Sequence, residues 1–133
     1  MSAIRILVVE DFAPFRQFIA STLAKRSELR IICEVADGLE AVRKAEELRP
    51  DLILLDIGLP TQSGIAAARQ IRKLAPESKI IFLTQESSAD VVQEALGLGA
   101  HGYVLKANAG NELLAAVQSV ISGNLFFSKA SGS

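Results

Sequence analysis

Residues 50–60 read Pro-Asp-Leu-Ile-Leu-Leu-Asp-Ile-Gly-Leu-Pro, and this stretch decides the fold. The turn residue Pro50 opens it, an apolar run follows, and the run stops at a single carboxylate, Asp56. A short apolar run between turn signals predicts a strand buried on both faces, as in a parallel sheet covered by helices. Such sheets bind their ligands at the carboxyl ends of their strands. Asp56 is therefore a candidate for chemistry, although an aspartate in this position is also a common turn residue.

Further apolar runs alternate with helical patterns along the chain. The predicted strands are 4–9, 30–36, 52–55, 79–83 and 103–105. The predicted helices are 14–26, 39–48, 65–74, one from a cap at Ser87 or Ser88 to 98, and one from a cap at Asn108 to 122. This alternation predicts an α/β fold, a flavodoxin-like doubly wound (βα)5 three-layer sandwich with a parallel sheet of strand order 2-1-3-4-5.

Composition and charge set limits on the class of protein. The chain has 133 residues, which fits one domain, and its net charge is −1 with the basic residues scattered. It therefore lacks the basic footprint of a nucleic-acid-binding surface. The only cysteine, Cys33, lies in an apolar run, which excludes an intramolecular disulfide and fits a reducing compartment. With no signal segment and no apolar stretch of transmembrane length, we expect a cytoplasmic protein with no membrane partner.

Polar residues follow four strands that are neighbours in this order. They are Glu10 and Asp11, Asp56, Thr84, and Lys106. Crowded carboxylates raise one another's pKa unless a cation joins them, and Mg²⁺ prefers such oxygen ligands. A lysine and a hydroxyl beside the cation could neutralise charge on a phosphoryl group. Each residue alone also fits a cap or a solvated surface position, but together they predict a phosphoryl ligand attached to, or attacked by, Asp56.

The same residues carry a family resemblance. The chain resembles the receiver domain of bacterial two-component response regulators over nearly its whole length. The matching motifs are Leu-Val-Val-Glu-Asp at 7–11, the run 51–60 with Gly64 following, Phe-Leu-Thr at 82–84, and Gly-Ala-His-Gly-Tyr-Val-Leu-Lys at 99–106.

The resemblance implies a phosphoacceptor and a metal site. Asp56 would accept a phosphoryl group from a sensor histidine kinase. Glu10, Asp11, Asp56 and the backbone carbonyl of Gly58 would hold Mg²⁺. The protein would not be an enzyme acting on other molecules, because its chemistry would be limited to its own phosphorylation and autodephosphorylation.

It also implies a conformational switch. Thr84 and Lys106 would bind the phosphoryl oxygens, and Thr84 would move toward them. That movement would open space for the ring of Tyr103, the aromatic switch residue, and remodel the face formed by the fourth helix, fifth strand and fifth helix. Judged without the motif around it, Tyr103 would be a half-buried packing residue with an exposed hydroxyl.

The last third of the chain resembles the LuxR/FixJ-type subfamily at residues 113–117 and 123–128. We expect a receiver domain at 1–127, with 128–133 a tail or the start of a linker to an effector domain. Transcription control would then act through a helix-turn-helix domain absent from this chain, with homodimerisation on phosphorylation a further expectation. A natural stand-alone receiver is the alternative.

Some positions depart from the family pattern. Gln85 stands where a small residue is usual, and we expect it to modulate access to the phosphoryl group. Ala107 replaces a frequent proline, which predicts a differently shaped loop after the fifth strand. Gly58 has no side chain to tune an attacking water, and the lone His101 is interpreted as structural.

Other function classes fit less well. A phosphatase of the haloacid dehalogenase type needs a second acid two residues after the nucleophile, where this chain has Gly58. A flavodoxin-like mononucleotide binder needs a phosphate loop after the first strand, where Glu10 and Asp11 would repel the phosphate. A receiver that signals by protein contact without phosphorylation is the remaining alternative, and Gln85 leaves it open.

Overall fold

The computed structural model describes residues 3–85 and 88–128, which form one parallel sheet between two layers of helices. The strands are β1 (Ile4–Val9), β2 (Leu29–Val35), β3 (Leu52–Asp56), β4 (Lys79–Thr84), β5 (Gly102–Leu105) and β6 (Phe126–Phe127). The helices are α1 (Ala13–Leu23), α2 (Gly38–Leu48), α3 (Gly64–Leu74), α4 (Ala89–Gly97) and α5 (Ala109–Ile121). The strand order is β2-β1-β3-β4-β5-β6, so the predicted fold and order are confirmed.

The sixth strand corrects the prediction, which ended the sheet at β5. Phe126 and Phe127 pair in parallel with Gly102 and Tyr103. Two residues are too few to show a period-2 pattern, and the pairing needs the chain to return beside β5 after α5.

Alternate side chains of the strands build two separate cores, one on each face of the sheet. On β1, Ile6 and Val8 join a core formed with α1 and α5, whereas Leu7 and Val9 join one formed with α2, α3 and α4. All five residues of β3 are buried, which confirms a strand covered on both faces.

Short side-chain caps fix where three helices begin. Asp37, Ser63 and Ser88 accept hydrogen bonds from backbone N–H groups in the first turns of α2, α3 and α4. Each such cap stabilises its helix by about 1 kcal/mol. The predicted cap at Asn108 is wrong in detail: its side chain makes no capping bond, and a 3₁₀ turn over Lys106–Asn108 leads into α5.

The register brings the carboxyl ends of the central strands level. Val9 lies beside Leu55, Leu55 beside Phe82, and Thr84 beside Leu105. The residues that follow these strands therefore emerge at a common edge. Within the described parts of the chain, no helix is long and apolar enough to cross a membrane.

Candidate functional site

The predicted polar residues meet at this edge of the sheet. Carboxylate oxygens of Glu10, Asp11 and Asp56 lie within 4.8 Å of one another. A cavity of about 400 Å³ opens beside them, and Thr84 and Lys106 are among the residues that line it. The sheet topology thus brings all five predicted residues together.

The three carboxylates differ in their surroundings. The side chain of Glu10 is 0% exposed and that of Asp56 is 6% exposed, whereas Asp11 faces solvent. Burial raises the pKa of Glu10, opposed by Lys106 and by the Phe12 N–H, which donates to Glu10 Oε2 at 3.1 Å. The nearby charge of Asp56 raises this pKa further. Ionising Glu10 is therefore costly unless another positive charge joins the cluster.

Lys106 lies among the acids. Its Nζ is 2.8 Å from Glu10 Oε1 and 3.3 Å from Asp56 Oδ2, and its side chain is 13% exposed. One ammonium against three carboxylates leaves two negative charges uncompensated when all the acids are ionised. The cluster therefore has the donor atoms and the charge that suit a hard divalent cation.

A tight loop after β3 orients Asp56. The N–H of Gly58 donates to Asp56 Oδ1 at 3.2 Å, and the N–H of Gly64 donates to the carbonyl of Ile57 at 2.8 Å. A Cβ on Gly64 would lie 2.1 Å from the Asp56 carbonyl oxygen, so α3 can start this close to β3 only with glycine at that position. The contact of Gly58 with Asp56 is made by its N–H, and its carbonyl as a metal ligand stays a prediction.

The two residues expected to switch are both in the interior. Thr84 is 4% exposed and Tyr103 is 1% exposed. Tyr103 packs in the core on the α2–α4 face of the sheet, so the half-buried interpretation of this residue is wrong. Any inward movement of its ring would start from a side chain that is already buried.

Gln85 and His101 lie at different distances from the site: one lines the cavity, and the other is at the opposite edge of the sheet. Gln85 is exposed and lines the cavity, as its predicted role in access requires. His101 lies at the opposite edge of the sheet, where its Nδ1 accepts from the Ile80 N–H at 3.2 Å. Burial lowers the pKa of His101, and the nearby Arg72 and Lys79 lower it further. These contacts support the structural interpretation of the histidine.

Phe15 in α1 also contacts the site, which the sequence does not predict. The Lys106 Nζ lies over its ring, 4.9 Å from the centroid. The spacing of Phe15 in the helix gives no sign of this contact, because the lysine is 91 positions further along the chain.

Comparisons with known proteins agree with this geometry. The family model described as "Response regulator receiver domain" matches residues 6–118. The transcriptional regulatory protein LnrK of Bacillus subtilis is 36% identical over 122 residues, which are 92% of this chain and 56% of that protein. The response regulator protein VraR of Staphylococcus aureus is 36% identical over 124 residues, 93% of this chain and 59% of that protein.

A solved structure gives the same result. The crystal structure of a LuxR-family two-component response regulator from Aurantimonas sp. has a TM-score of 0.88 at 30% identity, covering 94% of this chain and 89% of that one. This chain spans less than two thirds of the length of the curated relatives named above. Since the family match over residues 6–118 includes the acidic edge, the chain belongs to the response regulator receiver domain family.

Proposed function

We propose that Asp56 accepts a phosphoryl group from a sensor histidine kinase. One observation carries the proposal: a buried carboxylate at a strand end opens onto a cavity of about 400 Å³, with an ammonium 3.3 Å away and two further carboxylates beside it. A phosphoryl donor can enter such a cavity, and the surrounding charges suit the transfer.

The transfer is a displacement at phosphorus. An Asp56 oxygen attacks the phosphorus of a phosphohistidine, and the new O–P bond forms as the N–P bond breaks. The imidazole nitrogen keeps the electron pair of the broken bond and takes up a proton from solvent. Lys106, already 3.3 Å from Asp56 Oδ2, stabilises negative charge on the phosphoryl oxygens, and the Thr84 hydroxyl is a second donor.

Glu10, Asp11, Asp56 and the Gly58 carbonyl would hold Mg²⁺. When bound, the ion would neutralise part of the negative charge on the phosphoryl oxygens during transfer. The fit rests on the carboxylate oxygens that lie within 4.8 Å of one another and on their uncompensated negative charge.

The phosphoryl group on Asp56 would carry a charge of about −1.5 to −2. Thr84 would move toward the new oxygens and bias Tyr103 and the face formed by α4, β5 and α5 between two arrangements. We place the receiver domain at 1–127 and a tail or linker at 128–133, in a cytoplasmic protein. Homodimerisation on phosphorylation, and transcription control through a helix-turn-helix domain outside this chain, complete the proposal. The LuxR-family neighbour supports the transcriptional part.

Intact mass after incubation with acetyl phosphate tests the acceptor. We expect one labile phosphoryl adduct that requires Mg²⁺ and is absent from Asp56→Asn. Because Gln85 lines the cavity, a receiver that works by protein contact alone is the second candidate. No adduct from acetyl phosphate, phosphoramidate or a panel of histidine kinases would favour that second candidate.

A further inference from the structure

The ammonium of Lys106 contacts groups of two kinds. It lies 2.8 Å from the Glu10 carboxylate and 3.3 Å from that of Asp56. It also lies over the ring of Phe15, whose centroid is 4.9 Å from Nζ. An ammonium within about 6 Å of a ring centroid, over the face, is attracted by the negative potential of that face.

In the proposed function, the carboxylates of Glu10 and Asp56 also interact with groups other than Lys106. Glu10 would also be attracted to a bound cation, and the Asp56 carboxylate becomes an acyl phosphate. Lys106 therefore exchanges ionic partners during the reaction: its contact with Glu10 weakens, and the phosphoryl oxygens replace the Asp56 carboxylate. The ring of Phe15 takes part in neither event, so its attraction for the ammonium persists.

The ring is held firmly where the lysine meets it. Pro14 lies in the first turn of α1 and sets the start of that helix. The rings of Phe15 and Phe18 stack with centroids 5.4 Å apart and an interplanar angle of 28°. Ile19 in the following turn is 0% exposed and anchors α1 to the sheet. A ring fixed in this way costs little reorganisation when the lysine changes partners.

We propose that Phe15 is a positioning residue for Lys106, whose ring face keeps the ammonium beside Asp56 while the ionic partners of the lysine change. The catalytic part of this inference rests on the proposed phosphorylation of Asp56. The hold of the ring on the lysine exists in the unphosphorylated protein and can be measured there.

The first measurement is NMR of the unphosphorylated protein. The ring current of Phe15 should shift the ε-protons of Lys106 upfield. This shift should be kept in Phe15→Tyr, lost in Phe15→Leu, and reduced stepwise when Phe15 is replaced by 4-fluoro- and 3,4,5-trifluorophenylalanine. Fluorines weaken the face potential but leave the ring in place, so they separate electrostatic attraction from packing. Phe126→Leu is the matched control, because it makes the same change at a partly buried phenylalanine of β6, outside the stack on α1.

The second measurement is the rate of adduct formation with acetyl phosphate and Mg²⁺. The strength of a cation–π contact predicts a roughly three- to tenfold slower rate for Phe15→Leu. The rate should fall stepwise through the fluorinated series, be restored in Phe15→Tyr, and stay within about twofold of the parent in Phe126→Leu. Thermal unfolding of every variant, with the fluorinated chains as folded references, separates a positioning effect from a loss of fold.

The two measurements distinguish a positioning role of Phe15 from a role in packing alone. A lysine shift and a rate that both ignore fluorination would show that Phe15 only fills space, and would overturn the inference. If the parent protein forms no adduct, the proposed function fails, and the NMR series still decides whether the ring holds Lys106.

Discussion

Gly64 gives a sharp test of how α3 and β3 fix the acceptor. In Gly64→Ala, the new Cβ would lie 2.1 Å from the Asp56 carbonyl oxygen and 2.7 Å from the Ile57 Cα. Since Cβ contacts essentially never fall below 3.0 Å, the backbone must move by about 0.9 Å. Both obstacles are backbone atoms, which cannot swing aside as a flexible side chain can.

Overpacking of this kind costs about 1–3 kcal/mol of unfolding free energy. A misplacement of about 1 Å in reacting groups can lower a rate by about 10²-fold. We therefore expect Gly64→Ala to unfold at lower urea concentration and to form the Asp56 adduct at least about tenfold more slowly. The assays are equilibrium urea unfolding and intact mass with acetyl phosphate.

Gly110 provides the matched control. It lies in the first turn of α5, and a Cβ there would meet no atom within 4 Å. Gly110→Ala should therefore leave the rate unchanged and stabilise the protein, by up to about 1 kcal/mol from helix propensity. If Gly64→Ala were as stable and as fast as the parent, the β3–α3 approach would be able to absorb a methyl group, and the reasoning would be refuted.

Three further perturbations test other contacts. Because the pKa of His101 is lowered in the folded protein, its contribution to stability should be full above pH 6.5 and be lost as the pH falls through the folded pKa. In His101→Gln, the thermal unfolding midpoint should therefore change less between about pH 5 and 7.5 than it does in the parent. Ser128→Ala removes the Oγ that accepts from the Leu105 N–H at 3.0 Å, and should cost about 1 kcal/mol in urea unfolding. Gln85→Ala should change the rate of adduct formation or loss, followed by intact mass, and unchanged rates would exclude its role in access.

The two buried carboxylates, Glu10 and Asp56, attract more than one positive group. Glu10 is enclosed and its raised pKa reflects the cost of its charge, which Lys106 offsets only in part. A divalent cation and Lys106 would both be attracted to the same carboxylate. The ring of Phe15 offers the lysine a place that does not depend on that carboxylate.

The sequence by itself determined the first five strands of the sheet, their order and the residues of the acidic edge. An apolar run with a carboxylate at its end is a local pattern, and parallel strands joined by helices must end at one edge. Glu10, Asp11, Asp56, Thr84 and Lys106 could therefore be placed together from the order of the strands alone. The cap of α4 was predicted only as Ser87 or Ser88, and the structure shows that Ser88 accepts from a backbone N–H three residues away.

Only the tertiary structure decided which groups these side chains contact. Lys106 is long enough to reach several groups, and packing brings it to Glu10, Asp56 and the ring of Phe15. Tyr103 is buried because residues that are distant in sequence pack around its ring. The two-residue strand β6 depends on a pairing between distant segments that no local pattern encodes. Local periodicity fixes elements and edges, whereas rotamers and short pairings are fixed by neighbours that are distant in sequence.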